Sequence, residues 1–83
     1  MIYVDTSLII SYMDLKDSNH KKAKRIIDDI SSEKKVASML VLVELASVYS
    51  RAGLEKPLEL ALYSLELIDA EAVSYTHLTL PTN

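Results

Sequence analysis

The sequence predicts an α/β fold, a parallel sheet with flanking helices in the order strand, helix, helix, strand, helix, helix. Three observations predict it. Ile2-Tyr3-Val4 and Val36-Ala37-Ser38 are short runs of strand character. Helical patterns lie between and after them. Strands separated by helices pair in parallel through crossovers. Two strands are too few for a covered layer, so the fold is expected to be truncated.

The first strand ends at Asp5, where Thr6 and Ser7 offer side-chain oxygens to cap a helix running to Ser11 or Met13. After a polar connection, Ala23, Ile26, Ile27 and Ile30 follow the spacing of one buried helix face, with Ser18 or Asn19 as cap. Its other face pairs Lys24 with Asp28 and Arg25 with Asp29, an order that opposes the helix dipole. Ser31 to Lys35 reads as a polar turn before the second strand. Met39 to Ala52 reads as a helix stopped by Gly53. Pro57 suits the first turn of a fourth helix, with Leu58, Ala61, Leu62, Leu65 and Ile68 as its apolar stripe.

At 83 residues there is room for one domain, and compact domains more commonly run to about 100–150 residues. The composition is globular, with 49% apolar and 25% charged residues and no cysteine, which excludes a disulfide framework and a thiolate zinc site. The net charge of -3 is not that of a typical nucleic-acid binder. Seven of the nine basic residues nevertheless fall between Lys16 and Lys35, so a locally basic surface is compatible with the acidic whole. No signal peptide opens the chain. The apolar stretch Met39 to Tyr49 is far below the roughly 20 residues a membrane helix needs. No membrane association is expected, and a cytoplasmic location is.

Residues 73–83 break with everything before them, carrying no Asp, Glu, Lys or Arg and matching no helix period. Val73-Ser-Tyr-Thr-His-Leu-Thr-Leu-Pro-Thr82 resembles the translation of a transposase-type sequencing adapter. Residues 1–72 are therefore expected to form the N-terminal part of one domain and 73–83 a non-native tail. His77 is left out of the site on that ground.

Asp5 stands at the carboxyl end of the first strand, the edge at which open α/β sheets bind ligands. It is equally suited to capping the helix that follows. Glu44 is the one charged residue between Val36 and Ser50. A helix apolar on nearly all faces is expected to be mostly buried, and a buried carboxylate costs several kcal/mol unless paired or bound to a cation. The positions three and four residues away hold Leu40, Val41, Ser47 and Val48, so no base on the helix neutralises it. The alternatives are that Glu44 faces water or meets Arg51. A helix starting just after the second strand brings Glu44 toward the edge that carries Asp5. Two converging carboxylates are the beginnings of a hard-cation site, since Mg²⁺ commonly takes one or two carboxylates, waters and substrate phosphates.

Ile-Tyr-Val-Asp-Thr-Ser-Leu-Ile-Ile at residues 2–10 resembles the opening of the PIN family, a hydrophobic strand followed by a metal-binding aspartate and Thr-Ser. Ser38 through Arg51 resembles the family's second acidic motif, and His20 with Ala23 matches its His-x-x-Ala pattern. The resemblance covers residues 1 to about 70 and is nearest to the VapC-like toxins. It implies a Mg²⁺- or Mn²⁺-dependent endoribonuclease with Asp5 and Glu44 as catalytic metal ligands and Ser7 supporting Asp5. It also implies an RNA substrate, a VapB-like antitoxin partner and a homodimer. The family's remaining acids lie past a third strand. Asp69 and Glu71, read as lying in or just after the fourth helix, do not take their place. These 83 residues alone are thus expected to fold poorly and to show little or no nuclease activity.

Lys21, Lys22, Lys24 and Arg25 read as a solvated face or as contacts to RNA phosphate. Tyr12, Tyr49 and Tyr63 read as core or interface residues. The competing function is a catalytically dead PIN-like protein-interaction module. A haloacid-dehalogenase-like phosphatase using Asp5 as nucleophile would need a second Asp at position 7, where this chain has Ser7.

Overall fold

The computed structural model describes residues 1–74. Seven elements follow in chain order: β1 (Ile2–Tyr3), α1 (Thr6–Met13), α2 (His20–Asp29), β2 (Lys35–Ser38), α3 (Met39–Arg51), α4 (Pro57–Leu67) and β3 (Ala70–Val73). The three strands form one parallel sheet in the order β1-β2-β3. Ile2 lies opposite Lys35, and Lys35 in turn opposite Ala70. The expected α/β fold with a parallel sheet and helices is therefore present, with one strand more than the sequence pattern predicts. Val73, the first residue of the segment set apart by composition, closes β3 opposite Ser38. The rest of that segment from Tyr75 on, with His77, lies outside the described residues.

The central strand is buried, with Lys35 at 2%, Val36 at 1% and Ala37 at 0% exposure. Val4, Ile9, Ile27, Leu42, Leu45, Tyr49, Ala61, Leu65 and Ile68 complete the core around Ala37. Val4 continues the pairing beyond β1, its N–H donating to the Val36 carbonyl at 2.9 Å.

Two helix faces differ from expectation. Leu42, Leu45 and Tyr49 bury one side of α3, and Leu40, Val43 and Glu44 are exposed on the other. The helix is one-sided in its packing although its sequence is apolar all round. On α4 the buried stripe is Ala61, Ser64, Leu65 and Ile68, while Leu58 and Leu62 face outward. The small Ala61 and Ser64 permit the close approach of α3. Ser64 is satisfied there, donating to the Leu60 carbonyl at 2.8 Å and lying 2.7 Å from the Tyr49 hydroxyl.

The helix ends follow local chemistry. Gly53 adopts φ +79, in the left-handed region where L side chains are disfavoured. Its N–H bonds the Ser50 carbonyl and the Leu54 N–H bonds the Tyr49 carbonyl. That pair of bonds is the Schellman stop of α3. Pro57 opens α4 as expected. Lys35 is a correction: it belongs to β2 and is buried, instead of closing a polar turn.

Candidate active site

The chain geometry brings two helix N-termini to one edge of the sheet. β1 and β2 are parallel neighbours, and each passes at its carboxyl end into a helix. Ser38 caps α3, its Oγ accepting from the Val41 N–H at 3.1 Å. Asp5 caps α1, its Oδ1 accepting from the Thr6 N–H at 2.8 Å. The cap is thus Asp5, one of the alternatives its position offered, and neither Thr6 nor Ser7. Ser7 instead donates its hydroxyl to Asp5 Oδ2 at 3.0 Å. Each carboxylate oxygen of Asp5 accepts one of these hydrogen bonds, and each carries two lone pairs. The side chain is held by its neighbours and retains acceptor capacity toward solvent.

Glu44 reaches this corner from α3. Its Oε1 accepts a hydrogen bond of 2.6 Å from the Thr6 hydroxyl, a link between residues 38 apart in sequence. Thr6 adjoins Asp5 in the chain, so the bond ties the second carboxylate to the immediate neighbour of the first. The bond sets Glu44 beside the residue that follows Asp5, but burial is not what brings it there. Glu44 is exposed, so burial does not demand a counter-charge. Arg51 does not supply one either, because its guanidinium donates to Ser47 Oγ at 2.6 Å. Thr6, also a candidate cap of α1 by its sequence position, is signalled only by a hydroxyl next to an acid.

Other residues fall elsewhere. The imidazole Nδ1 of His20 is 3.0 Å from the Ser11 carbonyl, which braces the start of α2 against α1. Asp69 adopts φ +58 in the turn before β3 and lines a hollow with Ser31 and Lys35 at the opposite edge of the sheet. Glu71 lies within β3 opposite Val36. Both lie just after α4, Asp69 in the turn and Glu71 in β3, and neither joins Asp5 and Glu44. Among the described residues no three or more His, Cys, Asp or Glu side chains converge as a metal ion would require.

Two oxygen-rich carboxylates on separate elements, each steadied by a hydroxyl, fit the donor chemistry of a hard divalent cation. Fold and site together are those of an α/β protein with an acidic, carboxylate-lined sheet edge. A family model for the PIN domain matches residues 2–81, and the chain belongs to the PIN-domain family. Members of this family are generally nucleases and typically use divalent metals. No curated protein and no solved structure matches the chain significantly. No helix among the described residues is long and apolar enough to cross a membrane.

Proposed function

We propose that the chain is part of an endoribonuclease of the VapC-like toxin type, with Mg²⁺ or Mn²⁺ held by Asp5 and Glu44. The observation that carries this reading is the Thr6 bridge, which couples an acid on α3 to the acid at the end of β1. A bound divalent cation supplies charge neutralisation at a phosphodiester and a more acidic water. Asp5 and Glu44 are the ligands in this reading. Ser7 holds one Asp5 oxygen and the Thr6 N–H the other, so the carboxylate is oriented before any ligand arrives. Thr6 does the same for one oxygen of Glu44, Oε1. A VapB-like antitoxin and a second copy of the protein are its partners.

The test is Mg²⁺-dependent cleavage of RNA by the parent protein, run beside its Asp5→Ala and Glu44→Ala variants. Cleavage that falls by at least about a hundredfold in both variants is expected, as for loss of a group acting at the reacting centre. Equal cleavage by all three proteins would overturn the assignment of these two acids. A parent protein that neither takes up Mn²⁺ nor cuts RNA would be the protein-interaction module instead.

A further inference from the structure

Next to Asp5 lies a hollow of about 270 Å³ between α1 and α2. Ser7 and Ser11, one helical turn apart, line it from α1, and Lys22 and Ile26 from α2 with Asn19 just before it. Ser7 is the residue whose hydroxyl holds Asp5, so the hollow begins at the acidic corner. Its lining contains one cation and no acid, in a protein whose net charge is -3.

The charge pattern of α2 singles out that cation. Lys24 lies 4.0 Å from Asp28, the one ion pair among the described residues. Arg25 has Asp28 and Asp29 at helical spacing, and Lys21 has Asp17. Lys22 alone among the basic residues of α2 has no acid three or four positions away, because those positions hold Ser18, Asn19, Arg25 and Ile26. Asn19 stands at the N-cap position of α2 but makes no capping hydrogen bond with its side chain. Its side-chain NH2 is a donor beside Lys22 whether or not the oxygen caps the helix. Leu8, Ala23 and Ile26 supply apolar surface against which a ribose or base can lie.

We propose that this hollow is a subsite for single-stranded RNA adjoining the carboxylate pair, with Lys22 contacting a phosphodiester and Asn19 and Ser11 offering hydrogen bonds. The inference rests on the nuclease reading for its choice of ligand. Lys22 is a binding residue here, and takes no part in bond breaking.

The experiment is binding of a fluorescein-labelled uridine oligonucleotide to the full chain, followed by anisotropy over a range of salt in EDTA. Metal-free conditions separate the subsite from the carboxylates: cleavage and cation uptake are judged in their own assays. One phosphate contact on a single strand contributes a slope of about 0.7 to the dependence of log K on log salt. Lys22→Ala is expected to lower the slope by about that amount, so that its affinity deficit against the unsubstituted chain is about fivefold larger at 0.1 M salt than at 1 M. Lys34→Ala, at the far edge of the sheet, is expected to bind as the parent chain does. Amide NMR titration with the same oligonucleotide is expected to shift Ser7, Ser11, Asn19 and Ala23 ahead of Lys34. Equal behaviour of the two lysine variants, or no binding by the parent chain, overturns the subsite.

Discussion

Lys35 and Glu44 stand toward opposite edges of one sheet, and the fold handles their charges in opposite ways. Lys35 is 2% exposed, and its ammonium donates to the carbonyls of Ile30, Ser31 and Glu33 at 3.3, 3.4 and 3.0 Å. An ammonium has three protons, so its donors are fully used. Those carbonyls lie at and just past the end of α2, where positive charge is favoured by the helix dipole. Glu44 is exposed, and among the described residues one of its oxygens accepts one hydrogen bond. A buried charge must be satisfied within the protein, because nothing else can reach it. An exposed carboxylate steadied on one side retains the capacity to take a ligand on the other. Sealed polarity holds the fold together, and open polarity at the other edge serves binding.

The largest stability effect is expected on the sealed side. Lys35→Met keeps most of the stem and removes the ammonium, so three carbonyls lose a charged donor. A loss of about 2 kcal/mol is expected from the urea midpoint, on the scale of hydrogen bonds to charged groups. Mn²⁺ uptake at the acidic corner is expected to stay unchanged. An unchanged midpoint would show that Lys35 is merely covered and does not hold the end of α2.

Tyr49 tests the same rule without a charge. Ser64 has one hydroxyl proton and donates it to the Leu60 carbonyl, so Tyr49 is the donor in their shared bond. Tyr49→Phe removes that donor and leaves the Ser64 bond to Leu60 intact. The expected cost is about 1 kcal/mol by denaturant titration. A cost near zero would show that Ser64 is as well satisfied without Tyr49 as with it.

The two edges were not equally legible in the sequence. Asp5 announced itself because it ends a short apolar run and is followed by Thr6-Ser7. Gly53 and Pro57 marked the true end of α3 and start of α4, since each is tied to a particular backbone conformation. Lys35 gave no such signal. A lysine beside Lys34 in a polar stretch looks solvated, and only the sheet pairing with Ile2 and Ala70 buries it. β3 is illegible for a related reason: Ala-Glu-Ala-Val is short and weak in strand formers, so its conformation comes from pairing with β2. The phase of α3 was hidden because leucines and valines occupy both its buried and its exposed faces. Glu44 was singled out through an expectation of burial that the fold does not meet. It nevertheless reaches the corner because Thr6 receives it.

The smallest expected change in stability separates the two roles of Asp5. Asn caps a helix about as well as Asp, so Asp5→Asn is expected to keep the Thr6 N–H satisfied and shift stability by no more than a few tenths of a kcal/mol. The neutral amide carries no charge for a cation, and Mn²⁺ affinity is expected to fall by more than about tenfold. Asp5→Ala lowers both, because cap and ligand disappear together. Calorimetric titration of Mn²⁺ beside thermal unfolding reads the two quantities independently. If the Asn variant keeps the cation and the Ala variant loses only stability, Asp5 is a helix cap alone. Glu44 is then a surface acid held by Thr6, and the open edge is built by the same rule as the sealed one.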